Sequence, residues 1–71
     1  MNEIKFEVGK IYSAYGEKFL VDSRTDEKIS FRKENGNYVT VKAGLDPTGI
    51  EFVRIPLSVG GSVLFSAQKY S

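Results

Sequence analysis

Seventy-one residues without cysteine or histidine leave room for one domain, 1–71, held by packing alone, with neither a disulfide framework nor a thiolate metal site. A hydrophobic fraction of 41%, with five Phe and four Tyr, is that of a folded chain. Ten Lys plus Arg against nine Asp plus Glu give a net charge of +1, far from the balance of a dedicated nucleic-acid module, so any affinity for polyanions has to come from how charge is distributed.

The opening MNEIKFEV carries acids and lysine and no apolar run of the length a signal peptide or membrane span needs, so a cytoplasmic protein without membrane contact is expected. Next, FEVGKIY supplies Phe6, Val8 and Ile11 around Gly9, where an extended segment is expected to turn into the first strand. Residues 18–23 alternate with Phe19 and Val21 on one side, residues 28–33 with Ile29 and Phe31, and residues 38–42 with Val39 and Val41. These runs predict strands sharing one apolar face. Gly36, Gly44, Pro47 with Gly49, and Gly60-Gly61 punctuate the runs, and no long segment keeps a helical apolar period.

Parity fixes the connection between residues 28–33 and 38–42. A two-residue turn at Asn35-Gly36 sets Arg32 opposite Val39 and puts a cation in the core. A three-residue loop, Glu34-Asn35-Gly36, pairs Phe31 with Val39 and Ile29 with Val41, with Gly36 in the positive-φ position of a bulged loop. Arg32 then stands beside Tyr38, Ser30 beside Thr40 and Lys28 beside Lys42, all outward. The same parity pairs Phe19 with Phe31 and Val21 with Ile29 around Arg24-Thr25-Asp26 and sets Asp22 beside Lys28; a five-residue loop preserves the faces as well. In residues 49–55, Ile50 and Phe52 lie in one phase and Val53 and Ile55 in the other, which predicts a bulge or bend. Residues 62–67 offer Val63 and Phe65 with Leu64 opposite, either closing a barrel or lying at an open edge. The expected fold is all-β, a small partly open barrel of five or six antiparallel strands.

The segments FEVGKIYS, FLVDSRTDEKISFR, GIEFVRI and SVLFSA are similar in layout to short uncharacterised proteins of bacterial phages, plasmids and other mobile elements. The motifs that carry the likeness are Gly-Lys-Ile-Tyr at residues 9–12 and Arg24-Thr25 leading into a strand. The resemblance implies no particular activity. Where some of those proteins hold Cys or His after the first Tyr, this chain has Ser13, Ala14 and Tyr15, so it implies no metal site. In strand count the chain resembles SH3-like small barrels, an architectural likeness that lends no function.

Two surfaces follow from the alternation. Lys28, Arg32, Tyr38 and Lys42, extended by Lys18, form a basic face that could hold phosphates and stack an unpaired base on Tyr38; the plainer reading is a solvated sheet face with lysines discouraging edge pairing. Apolar residues outside the main face, Tyr12, Tyr15, Leu20, Leu57, Val59 and Leu64, could meet a protein partner or a second copy, unless curled strands bury both phases. Catalysis is not expected. No His or Cys can activate a nucleophile, GLDPTG at residues 44–49 lacks the ending of a phosphate loop, and Asp22, Asp26 and Glu27 do not make a calcium loop. The expectation is therefore a binding module without cofactor or metal, docking a protein through Tyr15, Leu20 and Leu57 as an accessory protein of a mobile element. The alternative is a nucleic-acid-binding barrel using Lys28, Arg32, Tyr38 and Lys42.

Overall fold

The computed structural model describes residues 3–67 and contains six strands: β1 (Ile11–Ala14), β2 (Glu17–Arg24), β3 (Lys28–Lys33), β4 (Tyr38–Leu45), β5 (Glu51–Pro56) and β6 (Ser62–Ser66). They pair antiparallel in the order β1-β2-β3-β4-β5-β6, as a barrel closed except at one seam. Among the described residues there is no helix, hence none long and apolar enough to cross a membrane. The all-β partly open barrel expected from the alternation is the fold found.

β1 and β2 are joined by Tyr15-Gly16, both at positive φ (53° and 79°), the backbone of a primed two-residue hairpin turn. The β3–β4 hairpin has the register that parity requires: Phe31 opposite Val39, Ile29 opposite Val41, Arg32 opposite Tyr38 and Lys28 opposite Lys42. Gly36 takes φ 89°, and the loop closes through the Lys33 N–H on the Asn37 carbonyl at 2.8 Å.

The β2–β3 pairing differs from expectation. Val21, not Phe19, faces Phe31, and Phe19 faces Lys33; beyond Val21 the register shifts, so that Ser23 faces Ser30 and Arg24 faces Ile29. Asp22 is the extra residue of this bulge, and the expected Asp22–Lys28 neighbourhood does not form. The consequence is a change of phase. Phe19 and Val21 point inward, and after the bulge so does Arg24.

β4 turns a corner: residues 38–42 pair with β3, and residues 43–45 pair with β5. Along β5 the expected bulge is absent, for the register runs unbroken against both neighbours. Its inward phase is Glu51, Val53 and Ile55, all buried, so the apparent phase switch came from counting Phe52 as core. Phe52 lies on the other side, over Gly44 directly opposite, where an added Cβ would stand 2.8 Å from the ring.

Glu51 occupies a core position because Arg24 meets it there. The guanidinium donates to both carboxylate oxygens, each at 2.6 Å, and to the Phe6 carbonyl at 2.8 Å, while the Phe6 N–H donates to Glu51 Oε1 at 2.9 Å. Burial alone pushes the Glu51 carboxyl up; the bonds from Arg24 and Phe6 and the arginine charge outweigh it and hold the group below its ordinary value. The hydrogen bond to Glu51 likewise raises Arg24 against the opposing effect of burial.

The segment before β1 is thereby tied across the barrel. Ile4 exchanges main-chain bonds with Gly49 and Glu51, and Gly9 and Lys10 do so with Val21. Between these ties Phe6 enters the core, its ring 4.9 Å from Tyr12 and 5.5 Å from Phe31, both edge-on. Tyr12, expected among the outlying apolar residues, is 2% exposed and part of this core, whereas Val8 and Ile11 face solvent.

Candidate binding face

On β1 the alternation that sends Tyr12 inward sends Ile11 and Ser13 outward. Cross-strand pairing then builds one continuous row on the outside of the sheet. Ile11 faces Leu20, Leu20 faces Arg32, and Arg32 faces Tyr38. At an interstrand spacing of about 4.8 Å the row is about 14 Å long. It lines an open groove of ≈ 420 Å³ with Lys18, Glu34 and Gly36 at its sides. Tyr38 is 57% exposed and Ile11 51%, so an aromatic ring and an aliphatic side chain stand in water at one end of the row and the other.

Beyond this row comes one of hydroxyls, Ser23 facing Ser30 and Ser30 facing Thr40, and beyond that Lys28 faces Lys42. The structure therefore gathers Lys28, Arg32, Tyr38 and Lys42 on one face, as the β3–β4 parity requires, with Lys18 as the expected extension, and sets Leu20 and Ile11 beside them. Lys18 belongs there because it shares the outward phase of Leu20. Ile11 reads in sequence as one of the apolar residues around Gly9, with Phe6 and Val8, and not as part of an outer face; its alternation with Tyr12 and Ala14 was the available signal.

The electrostatics of the face are distinctive. Among the described residues, Lys5, Lys10, Arg24 and Lys33 each sit in an ion pair with a glutamate. Lys18, Lys28, Arg32, Lys42 and Arg54 have no such partner, and all of these but Arg54 share the outer side of β2–β4. Lys28 and Lys42 are moreover placed directly opposite one another, an arrangement that destabilises a sheet.

Tyr15, Leu20 and Leu57, expected to form a protein-docking patch, are not brought together. Leu20 joins the cationic row. Leu57 is half-buried and packs against the core. Tyr15 stands 74% exposed on the β1–β2 turn, beside a second groove of ≈ 330 Å³ that it lines with Glu17, Ser58 and Val59, the last 90% exposed. Leu64 is also exposed, on β6.

What the row can do is bind. It offers unpaired cations for anionic oxygens, hydroxyls for hydrogen bonds, and Ile11, Leu20 and Tyr38 for apolar or stacking contact. Comparison with protein-family models, with curated proteins and with solved structures finds no match to this chain.

Proposed function

We propose that the chain is a non-catalytic binding module that meets a macromolecular partner through the outer face of β1–β4, centred on Ile11, Leu20, Arg32 and Tyr38. The observation that supports this reading is the segregation of charge: of the described cations elsewhere, all but Arg54 are paired with glutamates, and those of this face are left open around exposed apolar groups. An accessory role in a mobile element is part of the same proposal and rests only on the resemblance of layout read in the sequence. An experiment on the intact chain tests the face. Wild type and the double variant Leu20→Glu/Arg32→Glu are immobilised, and the proteins and nucleic acids each retains from cell extract are compared. Both side chains lie on the outer face of the sheet, and an unchanged thermal midpoint checks that the variant folds; the species retained by wild type are expected to be lost. Identical retention by the two chains would overturn the reading.

A second reading rests on a different observation. Tyr15 holds φ 53°, a conformation that costs an aromatic residue about 1 kcal/mol or more and that Asn or Gly adopts freely, and its side chain is spent on solvent next to Val59. This tip suits docking of a protein through Tyr15 and Val59. Tyr15→Asn is expected to stabilise the hairpin, and loss of a protein partner on that substitution would identify the tip as the contact.

A further inference from the structure

We infer that the ligand of the β1–β4 outer face is an unpaired nucleic-acid strand, with a base stacked on Tyr38 and its phosphates on Arg32, Lys28, Lys42 and Lys18. This inference rests on the proposed use of that face and names the partner. Charge complementarity selects a polyanion. Among the described residues, four cations without an ion-pair partner share one side of three neighbouring strands, and two of them, Lys28 and Lys42, are held opposite each other at a cost to the sheet. A site kept against stability in this way has a use for the paired positive charge.

The exposed aromatic selects an unpaired strand over a duplex. Tyr38 projects from the sheet beside Arg32, and a ring in that position can stack only on a base that is not already stacked within a helix. Ile11 and Leu20 continue the row and supply an apolar floor for a neighbouring base, while the hydroxyls of Ser30 and Thr40 lie between Arg32–Tyr38 and Lys28–Lys42, within the path of a backbone running from one cationic row to the other. Exposed Asp22 at the bulge and Glu34 at the groove margin lower the field around them, so few phosphates are held and the binding depends on the stacked base.

The test is a fluorescence titration of the full chain with labelled oligothymidylate and with the matching duplex, at low and at physiological salt. Saturable binding of the single strand, weaker for the duplex, is expected, with a log–log salt slope of up to about −3, from roughly 0.7 for each of four contacts. Tyr38→Ala and Arg32→Gln are each expected to weaken binding about tenfold, and Arg54→Gln, which removes a cation from β5, to leave it unchanged. All three side chains point outward, and equal thermal midpoints confirm that the variants fold. Absence of binding at low salt, equal affinity for duplex, or indifference to Tyr38→Ala would overturn the inference. If the oligonucleotide fails while a protein retained from extract is lost on Leu20→Glu/Arg32→Glu, the nucleic-acid inference falls and the binding face stands; if nothing depends on the face, both fall.

Discussion

β2 carries an ion pair at each end, and the two are built differently. At its C-terminal end Arg24 grips both oxygens of Glu51 at 2.6 Å, and the side chains are 15% and 2% exposed. At its N-terminal end Glu17 lies 3.8 Å from Lys33 and also accepts from the Ser58 N–H and hydroxyl, with side chains 19% and 15% exposed. The first pair is bidentate, largely enclosed and bonded to the N–H and carbonyl of Phe6, so it fixes the segment that plugs the barrel. The second is looser and ties a loop. Inward charges at the ends of a short barrel thus serve as caps, and how tightly they are enclosed decides what each is worth.

Removing one partner of the enclosed pair should have the largest effect. Arg24→Met leaves the Glu51 carboxylate buried without its cation, and an unfolding titration is expected to show a loss of about 3 kcal/mol. The double variant Arg24→Met/Glu51→Leu should recover most of it, since the buried charge is gone. If the single variant lost no more than a surface pair does, the contrast between the two ends would vanish.

Acid probes the same pair. With the folded-state value of Glu51 held below its ordinary 4.5, the stability it contributes is present above that value and is lost as pH falls through the lowered one. Asp46, held below 3.8 chiefly by the Thr48 hydroxyl, titrates in the same direction. The difference between wild type and Glu51→Gln therefore isolates the pair: the variant should show a shallower loss of stability on acidification.

Smaller effects follow. Gly44→Ala pushes a methyl group into the Phe52 ring and should cost about 1 kcal/mol, the ring's outer edge giving way in part. Glu17→Ala, at the looser end, gives up the Ser58 hydrogen bonds and should also cost no more than about 1 kcal/mol in the same titration. A cost equal to that of Arg24→Met would mean that enclosure does not set the worth of these caps.

The parts of this fold that were legible in sequence are those where local alternation runs unbroken. In β3 and β4 it fixed the faces, the loop length and the pairing of Arg32 with Tyr38, because a one-residue slip would have buried a cation. It failed where tertiary contacts override polarity. Arg24 reads as part of the connection after β2 and Glu51 has no local signal of burial, and only their mutual bond, across 27 residues, makes an inward position tolerable for either. The bulge at Asp22 was invisible for the same reason: its effect is to deliver Arg24 to a partner on another strand. Phe52 read as core because nothing local shows that Gly44 would lie beneath it. Of the candidate face, the β3–β4 half followed from parity. The Ile11–Leu20 half required the β1–β2 turn at Tyr15-Gly16, where Tyr occupies a position that usually advertises itself with Asn or Gly.

Cations that hold the fold are paired, and those of the outer face are not, so the latter should be dispensable to stability. The unfolding midpoint of the triple variant Lys28→Gln/Arg32→Gln/Lys42→Gln tests this directly. The midpoint is expected at or slightly above that of wild type, since the opposed lysines no longer repel. A loss of more than about 1 kcal/mol would show that these side chains hold the sheet together, and would contradict their assignment to binding.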